Sequence, residues 1–353
     1  MQTDPYTQES LLFSSLRSFL KAFFSFLGFS LCLILVAIVL AFIAGASVPT
    51  SKSTVEVAAD VKGQKNHYML TAPTILKISI QGMIGAGKLT TEAIEDLLSD
   101  SRDGILKNNK IKGILLCIDT PGGSVSDSNG IYEALKLYKE RYNLPIYAYV
   151  DGLCASGGMY VASSADQIHA SPISIIGSVG VIFGPAFNVY QLLENWGVKA
   201  KVLSQGKDKE MLNPFTQWKP DEDASLVEIT KHLYSEFVTI VSNARPRLDK
   251  QKLIDDYGAQ VFTAPKAQEL GYIDVAGATY SSALEALLAK CDLKKEDRYQ
   301  VVELLPAQSV LSELINGHSS KVSSSLLEKV FKWADPSSKL NEPFYYLYDP
   351  MRL

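Results

Sequence analysis

Residues 22–46 carry no charged side chain and are dominated by Phe, Leu, Ile, Val and Ala. As a helix this run of about 25 residues measures roughly 37 Å, enough to cross a bilayer with some tilt. It therefore divides the chain into a short segment before the span and the bulk after it. Arg17 and Lys21 stand just before the run, and the next basic residue after it is Lys52. That bias places residues 1–21 in the cytoplasm and the rest on the opposite side. Small residues at Ala44-Gly-Ala-Ser47 would suit a cleaved export signal, but the apolar run exceeds the ~7 to 15 residues usual for one. A retained anchor over 22–46 is the expectation.

The formal charge of −4 over 353 residues includes no basic block, so nucleic acid is excluded as a partner class. Cys32, Cys117, Cys154 and Cys291 lack the paired spacing of a zinc site and do not form a disulfide framework.

Residues 47–73 are rich in Ser, Thr, Lys, Asn and Gln and read as a linker. From residue 74 the pattern alternates. Strands are expected over 75–80, 111–118, 145–150, 167–170, 179–183 and 198–203, and helices over 91–106, 125–142, 189–196, 220–243 and 282–293. The run at 111–118 is almost wholly apolar, as a buried parallel strand requires. An α/β domain with parallel β–α crossovers over 74–300 follows. Residues 301–353 form a tail ending in Phe344-Tyr-Tyr-Leu-Tyr348, aromatics that suit docking on a neighbouring chain or on the parent fold.

Cys154-Ala-Ser-Gly-Gly-Met-Tyr160 directly follows the strand at 145–150. Ser156 thus sits where a strand gives way to a helix, its hydroxyl beside free backbone N–H groups, the arrangement acyl transfer needs. Cys154 reads as a small packed thiol. Gly82-Met-Ile-Gly-Ala-Gly-Lys-Leu-Thr90 almost spells a phosphate-binding loop, but Leu89 stands where the magnesium-binding hydroxyl belongs. A glycine-rich strand exit is expected there.

A serine nucleophile needs a base. None of His67, His169, His232 or His318 stands in a recognisable signature. Lysine is the other choice and must be neutral, whereas at an ordinary pKa of about 10.4 only about 0.04% is neutral at pH 7. Lowering that to about 8 costs the ammonium form roughly 3.3 kcal/mol, so the site must desolvate its lysine. Composition alone leaves Lys201, Lys207, Lys209 and Lys219 as alternatives.

Asp119-Thr-Pro-Gly-Gly-Ser124, Ala155-Ser-Gly-Gly-Met-Tyr160, Ile176-Gly-Ser-Val-Gly-Val181, Gly206-Lys-Asp-Lys-Glu210 with Pro214-Phe215, and Gly258-Ala-Gln-Val-Phe-Thr263 with Leu270-Gly-Tyr-Ile-Asp274 occur in that order. Together they resemble the membrane-anchored signal peptide peptidase A family in its half-length form. Met159 and Ala264 depart from the family's usual aromatic and glycine.

The resemblance implies a Clp-protease/crotonase-like fold, with Ser156 as nucleophile, Lys209 as general base and Ser178 as the residue that orients the lysine. It further implies an oxyanion hole from Gly122 or Gly123 with Gly157, and no metal or organic cofactor. It implies a homo-octameric ring whose sites are shared between neighbours, on the periplasmic side of the inner membrane, degrading remnant signal peptides and other short apolar peptides. A glycine pair after a buried strand independently suits a peptide backbone approaching as an added strand. The alternatives are a crotonase-like acyl-CoA enzyme and a non-catalytic peptide-binding scaffold.

Overall fold

Strand order explains how the chain brings its motifs to one place. The computed structural model describes residues 11–47, 54–65, 67–69, 71–103, 106–107, 110–305 and 344–347. It divides into two units, Met1–Lys52 and Ser53–Leu353.

The first unit is helix α1 (Leu11–Ser47), which begins earlier than the 22–46 run and takes in Arg17 and Lys21. Its candidate membrane span is Ser15–Val36, with mean hydropathy 2.2 and none of it buried. A helix this long and apolar can cross a bilayer.

The second unit runs β1 (Thr54–Val57), β2 (Thr74–Gln81), α2 (Thr91–Asp100), β3 (Ile111–Thr120), β4 (Gly122–Ser124), α3 (Val125–Tyr142), β5 (Ile146–Ala155) and α4 (Gly157–Ala162). It continues with β6 (Gln167–Ala170), β7 (Ile175–Gly177), β8 (Ile182–Phe183), α5 (Tyr190–Asn195), α6 (Ala224–Ala244) and α7 (Lys250–Lys252), which passes into a π turn over Leu253–Tyr257. The last elements are β9 (Val261–Thr263), α8 (Ala264–Leu270), β10 (Val275–Ala276), α9 (Tyr280–Lys290), β11 (Gln300–Leu305) and β12 (Phe344–Leu347).

The main sheet has the order β1-β11-β2-β3-β5-β6-β10 with β7 and β9 branching from β5. Pairings from β11 through β10 along this path are parallel. Period-two alternation sends Leu76, Ile78, Leu116 and Ile118 to one face, under residues of α2, α3, α4 and α6. Ile75, Leu115, Tyr147 and Tyr149 go to the other, under Leu284, Leu287 and Leu288 of α9. The sheet is covered on both faces, as the apolar run at 111–118 predicts.

Two boundaries differ from the sequence reading. The linker expected over 47–73 contains β1, which pairs antiparallel with β11 from Thr54↔Leu305 to Val57↔Val302, so the sheet reaches outside 74–300 at both ends. Half-burial of an edge strand tolerates a polar composition, which is why β1 lacks an apolar signature. The strand expected over 198–203 is absent: these residues are exposed, without a partner strand to complete their backbone hydrogen bonds.

A second, three-stranded sheet has the order β4-β12-β8. Its central strand comes from the tail, which therefore docks on the parent fold.

Asp274, from the Leu270-Gly-Tyr-Ile-Asp274 motif, serves the fold. Its carboxylate accepts from Arg245 Nη1 at 2.7 Å and from Ile168 N at 2.8 Å, tying the end of α6 to β6. Arg245 is 4% exposed, and burial pulls its pKa down against the pull of Asp274. Asp274→Ala would leave a buried guanidinium without its counter-charge. We expect urea unfolding to show a loss of about 2–3 kcal/mol, the low side for breaking a buried pair because Asp274 retains solvent contact.

Candidate active site

The fork in β5 assembles the site. Tyr147–Val150 pair with β6, whereas Leu153, Cys154 and Ala155 pair in parallel with Ile175, Ile176 and Gly177 of β7. The last pair is Ala155↔Gly177, so the next residues, Ser156 and Ser178, leave two neighbouring strands at the same end. Ser156 N donates to Gly177 O at 2.9 Å. Both serines are buried and both have φ +55. A left-handed serine between a strand and a helix is a strained turn that aims the side chain away from both elements. The Ser156 side chain makes no capping hydrogen bond to the start of α4. Glycines make the turn possible: a Cβ on Gly177 would meet Gln260 O at 2.5 Å, and one on Gly158 would meet Thr120 Cγ2 at 2.7 Å.

Gly157 is the first residue of α4, so its N–H belongs to the helix end that has no intrahelical acceptor. Of the glycine pair, Gly122 donates its N–H to Thr120 Oγ1 at 3.1 Å, while Thr120 Oγ1 donates to Gly82 O. Ile84 flanks the pair on one edge: Ile84 N donates to Gly122 O at 2.9 Å and Ser124 N to Ile84 O at 3.0 Å. Alternation then turns Gly123 N–H and C=O to the opposite edge, the one along which β12 lies. Of the two glycine N–H groups, that of Gly123 is thus the one on the β12 edge. A Cβ there would lie 1.9 Å from Ile84 O.

The turn is anchored by side chains that the sequence motifs contain without singling out. Ser124 caps α3 by accepting from Asp127 N at 3.1 Å, and Asp127 also accepts from Thr91 N at 2.7 Å. Thr90 Oγ1 accepts from Ala93 N at 3.3 Å and so caps α2. In the Gly82–Thr90 stretch, Leu89 is buried core and Ile84 is the buttress of Gly123. Sequence reading missed Thr120, Ile84 and Gln260. The first lies in the Asp119 motif, but its bond to Gly82 O is set by tertiary packing.

Other candidates have packing roles. Cys154 is fully buried, its Sγ 3.7 Å from Met159 Sδ, and burial pushes its thiol pKa far up. His169 is buried in β6 against Tyr147 and bonded to Gln167 Oε1 at 3.0 Å, its pKa lowered by desolvation. His232 is exposed on α6.

Lys209 is not brought to the serines within this chain. It is exposed, and no hydrogen bond or ion pair joins it to Ser156 or Ser178 among the described residues. The irregular stretch around it is held by Glu222, which accepts from Lys219 N and Leu212 N at 2.9 Å each. Those two bonds hold the Glu222 carboxyl below the usual carboxylate range. The same stretch exposes large apolar side chains, among them Leu203 at 86%, Trp196 at 75% and Phe187 at 72%. Lys207 is exposed beside Asp208.

The model of Peptidase family S49 matches residues 139–294, a span that includes both serines and Lys209. A putative protease of Synechocystis is 33% identical over 207 residues, covering 59% of this chain and 71% of the relative. A putative signal peptide peptidase SppA of Enterococcus faecium is 29% identical over 273 residues, covering 73% of this chain and 72% of the relative. A ClpP1 mutant from Listeria monocytogenes aligns in three dimensions at a TM-score of 0.38 and 15% identity, covering 61% of this chain and 96% of that one. The assignment rests on the sequence matches, and the acyl-CoA alternative falls with it: the chain belongs to peptidase family S49 and is a serine peptidase.

Proposed function

We propose that this chain is a membrane-anchored endopeptidase in which Ser156 attacks the peptide carbonyl and Lys209 of a neighbouring protomer is the base. The observation that carries this reading is the strained Ser156 turn at the start of α4, where the Ser156 side chain makes no capping bond; the Gly157 N–H at that helix start and the Gly123 N–H of β4 are the donors we assign to the oxyanion.

In the first step the Ser156 Oγ proton passes to a neutral lysine amine as the Oγ–C bond forms, and the two N–H groups receive the oxyanion. The lysine ammonium then protonates the leaving amine as the C–N bond breaks, leaving an acyl-enzyme. Water, deprotonated by the same lysine, releases the acid. Ser178, emerging beside Ser156, orients the lysine amine. No metal, nucleotide or organic cofactor takes part.

The sharing of sites is supported by the exposed Lys209 and by the uncovered apolar side chains around it, a surface that calls for a protein partner. Burial beneath a neighbour would supply the desolvation that a lysine base requires. A ring of about eight chains, with sites enclosed on the periplasmic side, would admit only short or unfolded apolar peptides such as remnant signal peptides.

A fluorophosphonate probe tests the nucleophile. Full-length protein in detergent should be labelled at Ser156, and the Ser156→Ala protein should lose that labelling while its assembly size is unchanged. Equal labelling of the two proteins would reject Ser156.

A further inference from the structure

Strand β5 is interrupted just before Ser156, and side chains rather than a ladder bridge the break. Against β3 the register passes from Ile118↔Val150 to Thr120↔Cys154, so Asp119 alone stands opposite Asp151, Gly152 and Leu153. On the other edge, pairing with β6 ends at Val150↔Ala170 and pairing with β7 begins at Leu153↔Ile175. Asp151 and Gly152 therefore have no ladder partner on either side among the described residues. A bulge of this kind bends its strand and re-aims the side chains that follow.

Two side chains stand in for the missing ladder. From β3, Asp119 Oδ1 accepts from Leu153 N at 2.9 Å. From the turn between β6 and β7, buried Ser174 donates its hydroxyl to Val150 O at 2.9 Å and accepts from Gly152 N at 3.4 Å. Asp119 is itself fixed through its main chain, where its carbonyl accepts from Gly82 N at 3.0 Å. Gly152 leaves room for the carboxylate: a Cβ there would come to 2.8 Å from Asp119 Cγ.

Asp119 and Thr120 are consecutive, and each reaches a different half of the site. Asp119 holds the strand that ends at Ser156, while Thr120 Oγ1 holds the N–H of Gly122 in the glycine pair. Asp119 is exposed, so its side chain adds little to the core. We propose that Asp119 is a positioning residue for the reaction: by holding the Leu153 N–H across the break, its carboxylate sets where Ser156 Oγ stands relative to the oxyanion donors. For its effect on catalysis, this inference rests on the reading of Ser156 as nucleophile. A misplacement of about 1 Å in an attacking group costs about 10²-fold in rate. Because the nucleophile is displaced and the peptide's binding groups are not, the loss falls on kcat rather than on KM.

Three full-length variants in detergent test this. Asp119→Ala removes the acceptor, Asp119→Asn keeps an oxygen that can accept the same bond, and Gly152→Ala pushes the carboxylate away without altering residue 119. With a fluorogenic apolar peptide, Asp119→Ala and Gly152→Ala should each lower kcat about 10²-fold at unchanged KM, and Asp119→Asn should recover most of that loss. Hydrogen–deuterium exchange read at Leu153 gives a measure independent of turnover. That amide should exchange about tenfold faster in Asp119→Ala than in the parent, and at nearly the parent rate in Asp119→Asn.

An unchanged kcat in Asp119→Ala, an asparagine variant as impaired as the alanine one, or an unchanged Leu153 exchange rate would overturn the proposal. Ser156→Ala protein separates this from failure of the nucleophile. If that protein still cleaves peptide, the reading of Ser156 fails, and faster Leu153 exchange in Asp119→Ala would still uphold the clamp on β5. If Ser156→Ala is inactive while Asp119→Ala retains full kcat, the nucleophile stands and the positioning role is rejected.

Discussion

Ser156→Ala and Lys209→Ala chains, each inactive alone, should regain peptide cleavage when they are co-assembled. Removing a nucleophile or its base costs on the order of 10³-fold or more in kcat, so both starting proteins should sit near background. In a head-to-tail ring each site takes its serine from one protomer and its lysine from the next. A serine-bearing Lys209→Ala protomer beside a lysine-bearing Ser156→Ala protomer rebuilds an intact site, and random mixing at equal amounts yields about a quarter of the wild-type sites. The readout is cleavage of a fluorogenic apolar peptide after mixing in detergent, with native mass spectrometry verifying mixed assemblies. Mixed rings without recovered activity would place both groups in one chain or remove Lys209 from the mechanism. The exposed position of Lys209, outside hydrogen-bond contact with either serine, is what makes recovery the expected result.

The second large effect is expected at Gly123. Alanine there would bring a Cβ to 1.9 Å from Ile84 O and 2.6 Å from Ile84 C, both backbone atoms that a rotamer change cannot move. Either Ile84 or the Gly122–Ser124 strand must shift, and the Gly123 N–H moves with it. Loss of one oxyanion donor lowers kcat by about 10²- to 10³-fold, or about 2.7–4 kcal/mol. Gly63 is the control: its φ is positive, which Gly123's is not, but open space surrounds its missing side chain, so alanine there costs only local strain of about 1–2 kcal/mol. Steady-state kinetics beside a thermal melt separates the two cases. A Gly123→Ala protein that keeps kcat within about threefold of wild type would remove Gly123 from the oxyanion hole.

The alternating elements were legible because buried parallel strands and amphipathic helices carry period-specific patterns. Strand 167–170 and helix 125–142 fall where the sequence places them. The Ser156 turn was legible because a serine among small residues after a strand has few other uses. The association of Ser156 with Ser178 was legible only through the family resemblance and not from spacing, since it depends on the Ala155↔Gly177 pairing across two strands. Nor could spacing choose Gly123 over Gly122, because the choice is made by Ile84, nearly forty residues upstream. The edge strand β1 and the tail strand β12 were missed for a shared reason: both are short, and their existence is decided by the partner edge rather than by their own composition. The strand expected over 198–203 failed the other way, with β-type residues but no edge to join.

Helix α1 limits how such chains can associate. Only six residues separate Ser47 from Thr54, the start of β1, a connection that spans at most about 25 Å. Each globular part is thus leashed close to the end of its own helix. If every helix enters the same bilayer, rotation about an axis along the membrane normal keeps all the leashes on one side. A two-fold axis lying in the membrane plane would carry half of them to the other side. Under that condition a pairing of two assemblies about an axis in the membrane plane is closed to the intact protein, and detachment of α1 would be required before it could form.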